Sequence, residues 1–246
     1  MRTILLPTDF SENSRNAVSY AIELYGTEAC IFVLLHVYKV NDYEESSRLT
    51  PIPAPQVIEK AHQKKLLLLE EMATELKSKL SNKQHHFEFE AANKPLVAAV
   101  REAIKKHDAE LVVIGTQGHT GASEVVYGSN TVDLMEEIQR CPVLAVPANI
   151  TFRPLKEIVL AHGFKAELIP NDLNFLIGLS RKFKAPVRIL YIAEEGGLTK
   201  KQKQNKKWLL KHFEEQKAEH TFHSLDFLST PLGIYAFTES LSLIHI

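Results

Sequence analysis

The sequence predicts an α/β protein built on an open parallel sheet with helices on both faces, followed by an incomplete second copy of the same unit. Three observations lead there. Short, continuous apolar runs alternate with helix-periodic segments, as in consecutive βαβ units. The pattern restarts near residue 155. Four of the chain's ten glycines fall within one stretch, "VIGTQGHTGASEVVYGSN" (residues 113–130), directly after an apolar run.

"TILL" (Thr3–Leu6) reads as the first strand. A helix follows with Ala17, Val18, Ala21, Ile22 and Tyr25 on one face, opened by Asp9 and Ser11; Glu12, three residues after Asp9, resembles a capping box. "IFVLLHV" (Ile31–Val37) is apolar throughout, as a central parallel strand should be. The next connection, with Pro51, Pro53 and Pro55, is roughly eighteen residues long, more than a plain βα turn needs. A long helix is expected after it, carrying Ile58, Ala61, Leu68, Leu69, Met72, Leu76 and Leu80. "FEFEA" (Phe87–Ala91) alternates apolar and charged residues, which marks a strand with one wet face, hence an edge. Pro95 opens a third helix with Val97, Val100, Ala103 and Ile104. "LVVI" (Leu111–Ile114) is the fourth strand, Ser129–Arg140 the fourth helix and "VLAV" (Val143–Val146) the fifth strand. "PANITFRP" (Pro147–Pro154) is a linker, so the expected domains are 1–147 and 155–246.

Composition narrows the function. With 45% hydrophobic and 24% charged residues the chain can bury a core. A net charge of -1 offers no general attraction to nucleic acid or an anionic membrane. No apolar run is long enough to span a bilayer, and the two cysteines, Cys30 and Cys141, form no CxxC. The reading is a cytoplasmic protein. The lysine-rich "KKQKQNKK" (Lys200–Lys207) has no interleaved aromatic platform and reads as a solvated helix face; Trp208 reads as a core residue. The histidines, His85, His86, His212, His220 and His223 among them, lack metal-ligand spacing. There is no GxSxG and no cysteine with an evident histidine partner, so no catalytic residue is assigned.

The glycines carry the functional signal. In an open parallel sheet, ligands sit beyond the carboxyl ends of the strands, where neighbouring connections leave for opposite faces. Asp9 lies just past the first strand and the glycine cluster just past the fourth. Gly115 and Gly118 allow the backbone to turn its N–H groups inward as an anion nest. Gly128 and Ser129 open a helix whose N–H groups and dipole favour a phosphate. The spacing is Gly115, two residues, Gly118, nine residues, Gly128, Ser129. It is neither a Walker A loop nor a GxGxxG fingerprint.

With "PTDFSENSRNAVSYA" (residues 7–21) before it and "CPVLAVP" (residues 141–147) after it, this spacing resembles the universal stress protein family over the whole first domain. The resemblance implies an adenine-nucleotide-binding fold with strand order 3-2-1-4-5, dimeric or pseudo-dimeric through its last strand. It implies that Asp9 meets the adenosine moiety, with Pro7 and Thr8 lining the site and Val37 contacting adenine through its backbone. Ile114 and Gly115 would flank the ribose; Gly118, Gly128, Ser129 and Asn130 would hold the phosphates. The loop has Glu124 and no Lys or Arg, so phosphate charge would fall to backbone donors, His119 or Mg²⁺. The expected function is a stress-response protein that binds ATP or a related adenine nucleotide, as a homodimer or an intramolecular pseudo-dimer with an unidentified protein partner. The alternatives are a slow ATPase or autophosphorylating protein, and an interaction scaffold that uses the connection at residues 42–55.

In the second copy, "EIVLAHGF" (Glu157–Phe164) lies over "TILLPTDF" (Thr3–Phe10), "APVRILYI" (Ala185–Ile192) over the second strand, and "HSLDFLSTPL" (His223–Leu232) over "FEFEAANKPL" (Phe87–Leu96). Gly163 replaces Asp9, and the glycine loop has no counterpart. Nucleotide binding is therefore expected in the first domain alone. "LSLIHI" (Leu241–Ile246) either supplies a substitute strand or marks a truncation in mid-helix. In the latter case Val143–Val146 is left to pair with a second chain.

Overall fold

The computed structural model describes residues 1–39, 55–78, 82–116, 128–166, 170–193, 196–226 and 228–243. The chain divides into two compact units, Met1–Phe152 and Arg153–Ile246.

The first unit runs β1 (Arg2–Pro7), α1 (Glu12–Leu24), β2 (Cys30–Val37), α2 (Pro55–Ser78), β3 (His85–Ala92), α3 (Leu96–His107), β4 (Leu111–Gly115), α4 (Ser129–Glu137) and β5 (Val143–Val146). Its five strands are parallel in the order β3-β2-β1-β4-β5. The alternating strand, β3, is an edge, as its one wet face requires. Central strands lose both faces to helices. Leu5, Val33, Leu35, Val112 and Ile114 pack with Val100, Ala103 and Ile104 of α3 and Leu134 of α4. Ile4, Leu6, Phe32 and Leu34 lie on the opposite pleat and are fully buried, as are Ala17, Ala21 and Ile22 of α1 and Leu69 of α2.

Several local expectations shift. Asp9 and Glu12 do not cap α1: Ser11 is its N-cap, and Ser11 Oγ accepts from Ser14 N. Pro95 is the N-cap residue of α3 rather than its first helical residue. α4 ends at Glu137, three residues before the expected Arg140. Ile138 turns extended there and becomes buried, while Arg101 donates to the Glu137 carbonyl (3.2 Å) and carboxylate (2.6 Å). A guanidinium on the last carbonyls closes a helix end that has no glycine. Leu80 and the proline-bearing connection at residues 40–54 lie outside the described residues.

The second unit runs β6 (Ile158–Ala161), α5 (Pro170–Phe183), β7 (Val187–Ile192), α6 (Lys200–Glu215), β8 (His220–Leu225) and α7 (Thr230–Leu243). Among the described residues its sheet has three parallel strands, β6-β7-β8. Phe164, Leu173, Ile177, Ile189, Leu209 and Phe213 fill one face. Leu190 and Ile192 meet Phe237 of α7 on the other. Leu241–Leu243 belong to α7, so they supply no substitute strand. The third strands also correspond differently from the sequence overlay. Tyr38 N donates to Ala92 O (2.9 Å) where Ala193 N donates to Leu225 O (2.8 Å). Leu225 therefore matches Ala92, three residues off the overlay of the shared Pro-Leu pairs. The loop between strand and helix absorbs the difference. Trp208 is a surface residue, 37% exposed, stacked on His212 with ring centroids 5.2 Å apart. A helix with buried Leu209 and Phe213 turns residue 208 outward.

Candidate functional site at the carboxyl ends of the strands

β1 lies between β2 and β4, so the turn after β1 and the segment after β4 leave adjacent strands at the same edge of the sheet. That edge carries Pro7 at the end of β1, Thr8 and Asp9 after it, Val37 at the end of β2, and Ile114 and Gly115 at the end of β4. Gly128, Ser129 and Asn130 then begin α4. Gly118, Gly121, His119 and Glu124 lie outside the described residues.

The β1 turn is held from several sides. Thr8 N donates to Leu35 O (2.8 Å), continuing the ladder one residue beyond the strand. Thr8 Oγ1 accepts from Phe10 N (3.1 Å) and pairs with Ser14 Oγ (3.0 Å), so this side chain serves the turn. Asp9 Oδ1 accepts from Ser11 N (3.0 Å) and Ser11 Oγ (2.5 Å). This Asx-type turn seats the carboxylate over the start of α1, and Asp9 is only half-buried. Phe10 takes φ +66, a left-handed conformation that a phenylalanine rarely adopts. Its ring meets His36 at 4.5 Å, and His36 Nδ1 lies 2.8 Å from Thr8 O. A carbonyl can only accept, so Nδ1 carries the proton.

Burial holds the His36 pKa below its usual 6.5; the Thr8 carbonyl and Asp9 oppose that, and Lys65 reinforces it. The unfolded chain binds this proton more readily than the folded one, so the stability of the first unit falls as pH drops from about 6.5 toward the lowered folded value. The urea midpoint of wild type should therefore drop more between about pH 7.5 and pH 5.5 than that of His36→Asn, which cannot titrate. Equal drops in the two proteins would count against it.

The glycine segment is tied at its ends. Thr116 N donates to Val146 O (3.0 Å), Gly128 N to Thr116 O (2.7 Å) and Thr131 Oγ1 to Gly115 O (2.9 Å). Gly128 is the N-cap of α4, and its own N–H is thereby used. The N–H groups of Ser129 and Asn130, first and second in the helix, have no intrahelical acceptor, and both residues are exposed. Gly115 has a packing reason to be glycine rather than a turn reason. It sits in β4 opposite Val146, and a Cβ there would lie 2.5 Å from the Asn13 side-chain nitrogen. Ile114 is a core residue, and Val37 packs against the same core.

Chemically, the edge offers a carboxylate that accepts hydrogen bonds and a helix start that donates them. The carboxylate suits an uncharged donor, a hydroxyl or an amine; the helix start suits an anion. Thr116, Thr131, Asn13 and His36 hold this frame, and the sequence reading missed all four. The one visible signal was His36, a polar residue within the apolar run "IFVLLHV".

The sequence model of the universal stress protein family matches residues 1–147. The chain belongs to the universal stress protein family. Solved universal stress proteins share the architecture. One from Archaeoglobus fulgidus DSM 4304 is 18% identical, with a TM-score of 0.62, over 92% of this chain and 79% of its own. A putative universal stress protein from Pseudomonas aeruginosa UCBPP-PA14 is 12% identical, with a TM-score of 0.55, over 91% of this chain and 74% of its own. None of the curated proteins matches the sequence.

Relative to the first unit, the second keeps the turn but not the carboxylate. His162 N donates to Leu190 O (2.9 Å) as Thr8 N does to Leu35 O, and Phe164 repeats the left-handed φ at +57. Gly163 replaces the carboxylate. Among the described residues no group of three or more potential ligands is placed to hold a metal, and no helix is long and apolar enough to cross a membrane. Cys30 is buried, and burial pushes the Cys141 thiol up to about 11, so neither is poised as a nucleophile at neutral pH.

Proposed function

We propose that this universal stress protein binds ATP or a related adenine nucleotide in its Met1–Phe152 unit and works as a nucleotide-dependent binding or regulatory module in the stress response. The observation that carries this is the adjacency of β1 and β4. It sets the Asp9 turn and the open N–H groups of Ser129 and Asn130 on neighbouring central strands, at the edge where such sheets bind ligands. In this reading Asp9 accepts from the adenosine moiety, Pro7 and Thr8 line it, and Val37 meets adenine through its backbone. Ile114 and Gly115 flank the ribose. Ser129 and Asn130 donate to phosphate with Gly118, while Gly128, lacking a Cβ, lets the phosphate approach the helix. Mg²⁺ would balance the phosphate charge. Arg15, a cation beside the Asp9 turn, is engaged by Glu75 (2.8 Å). The second unit, with Gly163 in place of the carboxylate, is a degenerate copy that binds none. The chain pairs with a second copy through β5, an edge of the first sheet.

The test is native mass spectrometry of the purified protein, then ATP titration with and without Mg²⁺, against Gly128→Ala/Ser129→Ala. A methyl at residue 128 in the path of the phosphate, with the Ser129 hydroxyl removed, is expected to weaken ATP binding by about 10- to 100-fold. Folded wild type that stays empty at millimolar ATP would end the reading. The same spectra give the oligomeric state.

A further inference from the structure

We infer that His36 is the positioning residue of the Asp9 turn: it donates Nδ1–H to the Thr8 carbonyl, backs the Phe10 ring, and so holds the Asp9 carboxylate in the orientation that the nucleotide uses. The inference rests on the nucleotide reading above. Its geometry is independent of any ligand. Asp9 leaves a strand whose ladder ends at Thr8, and among the described residues two hydrogen bonds tie the backbone of Thr8 to β2. One is Thr8 N to Leu35 O; the other is His36 to Thr8 O, at 2.8 Å. The second also braces the strained residue. Phe10 sits at φ +66, and its ring packs on the imidazole at 4.5 Å. A left-handed phenylalanine persists only where its surroundings over-determine it. Asp9 lies between the two braced residues, so its backbone has little freedom.

The second unit shows the turn without this device. There the ladder bond and the left-handed phenylalanine remain, and Tyr191 of β7 stands where His36 stands in β2, with its ring 5.6 Å from Phe164. Tyr191 Oη is buried, and among the described residues no hydrogen bond reaches it. His162 Nδ1 instead accepts from Phe164 N (3.0 Å), the task Thr8 Oγ1 performs in the first unit. So the side-chain tether from the second strand to the turn carbonyl occurs where the turn carries Asp9, and is missing where it carries Gly163. Ring packing alone suffices for the fold. The added hydrogen bond belongs with the carboxylate.

The test compares His36→Leu, which keeps bulk and loses the donor, with His36→Asn, whose amide nitrogen hangs on Cγ as Nδ1 does. ATP affinity of the full chain should fall about tenfold in His36→Leu and stay close to wild type in His36→Asn. In nitrogen-15 spectra His36 should show the Nδ1–H tautomer. The amide signals of Asp9, Phe10 and Ser11 should move in His36→Leu and hold in His36→Asn. If His36→Leu does not fold, His36→Gln, with its amide one methylene farther out, is the second loss variant. Wild type that binds ATP while a folded loss variant binds it equally would overturn this inference alone. Wild type that binds no ATP would overturn the nucleotide reading, and this inference with it. A loss that His36→Asn fails to rescue would reduce His36 to a packing residue.

Discussion

Phe32→Ala is expected to lower the stability of the first unit by about 3–5 kcal/mol, the range for emptying a large aromatic site in a core. Phe32 is fully buried on β2 and packs on the rings of His85 (5.0 Å) and Phe87 (5.6 Å) in β3. The cavity would open between the second strand and the sheet edge. β3 keeps its ladder to β2 but loses these ring contacts. The melting temperature of this unit should fall by roughly 10 °C or more. Phe32→Leu, which refills most of the volume, should recover more than half of the loss. A Phe32→Ala protein less than about 1 kcal/mol below wild type would show that β3 collapses into the gap.

Gly115→Ala should cost about 1–3 kcal/mol, as overpacking does in a closed core. The new Cβ would meet Asn13 at 2.5 Å from its nitrogen and 2.7 Å from its Cγ, and Asn13 is itself buried. The collision is with the body of the side chain, so swinging its tip aside does not relieve it. Asn13→Ala removes the three atoms nearest the new methyl. The double variant should therefore be more stable than the two single losses predict, by on the order of 1 kcal/mol. Urea unfolding of the four proteins gives the cycle. Additive losses would mean that Gly115 is glycine for some reason other than α1 packing.

That glycine shows where reading the sequence reached its limit. The cluster after β4 is visible as spacing, and its position beyond an apolar run rightly points to the carboxyl edge of a sheet. Nothing in the spacing separates a glycine that admits a ligand from one that admits a neighbouring helix. Asn13, about a hundred residues earlier, decides it for Gly115. Asp9 was legible as the residue after a strand and before a helix. Its role at the helix start was misread, because an Asx turn onto Ser11 and an N-cap at Asp9 need the same residue types within two positions. Trp208 was misplaced because bulk alone suggested burial, whereas the helix phase set by Leu209 and Phe213 put it outside.

What the sequence determined by itself was periodicity. Apolar runs make strands buried on both faces, amphipathic stripes make their helices, and alternation in Phe87–Ala91 makes an edge, because each pattern has only one arrangement that removes its apolar atoms from water. Strand neighbours, the pairing of His36 with Thr8, the ends of the Gly115–Gly128 segment and the register of β8 were decided by the tertiary structure. Each depends on contacts between residues distant in the chain, whose distances are set only when the sheet closes and its helices dock.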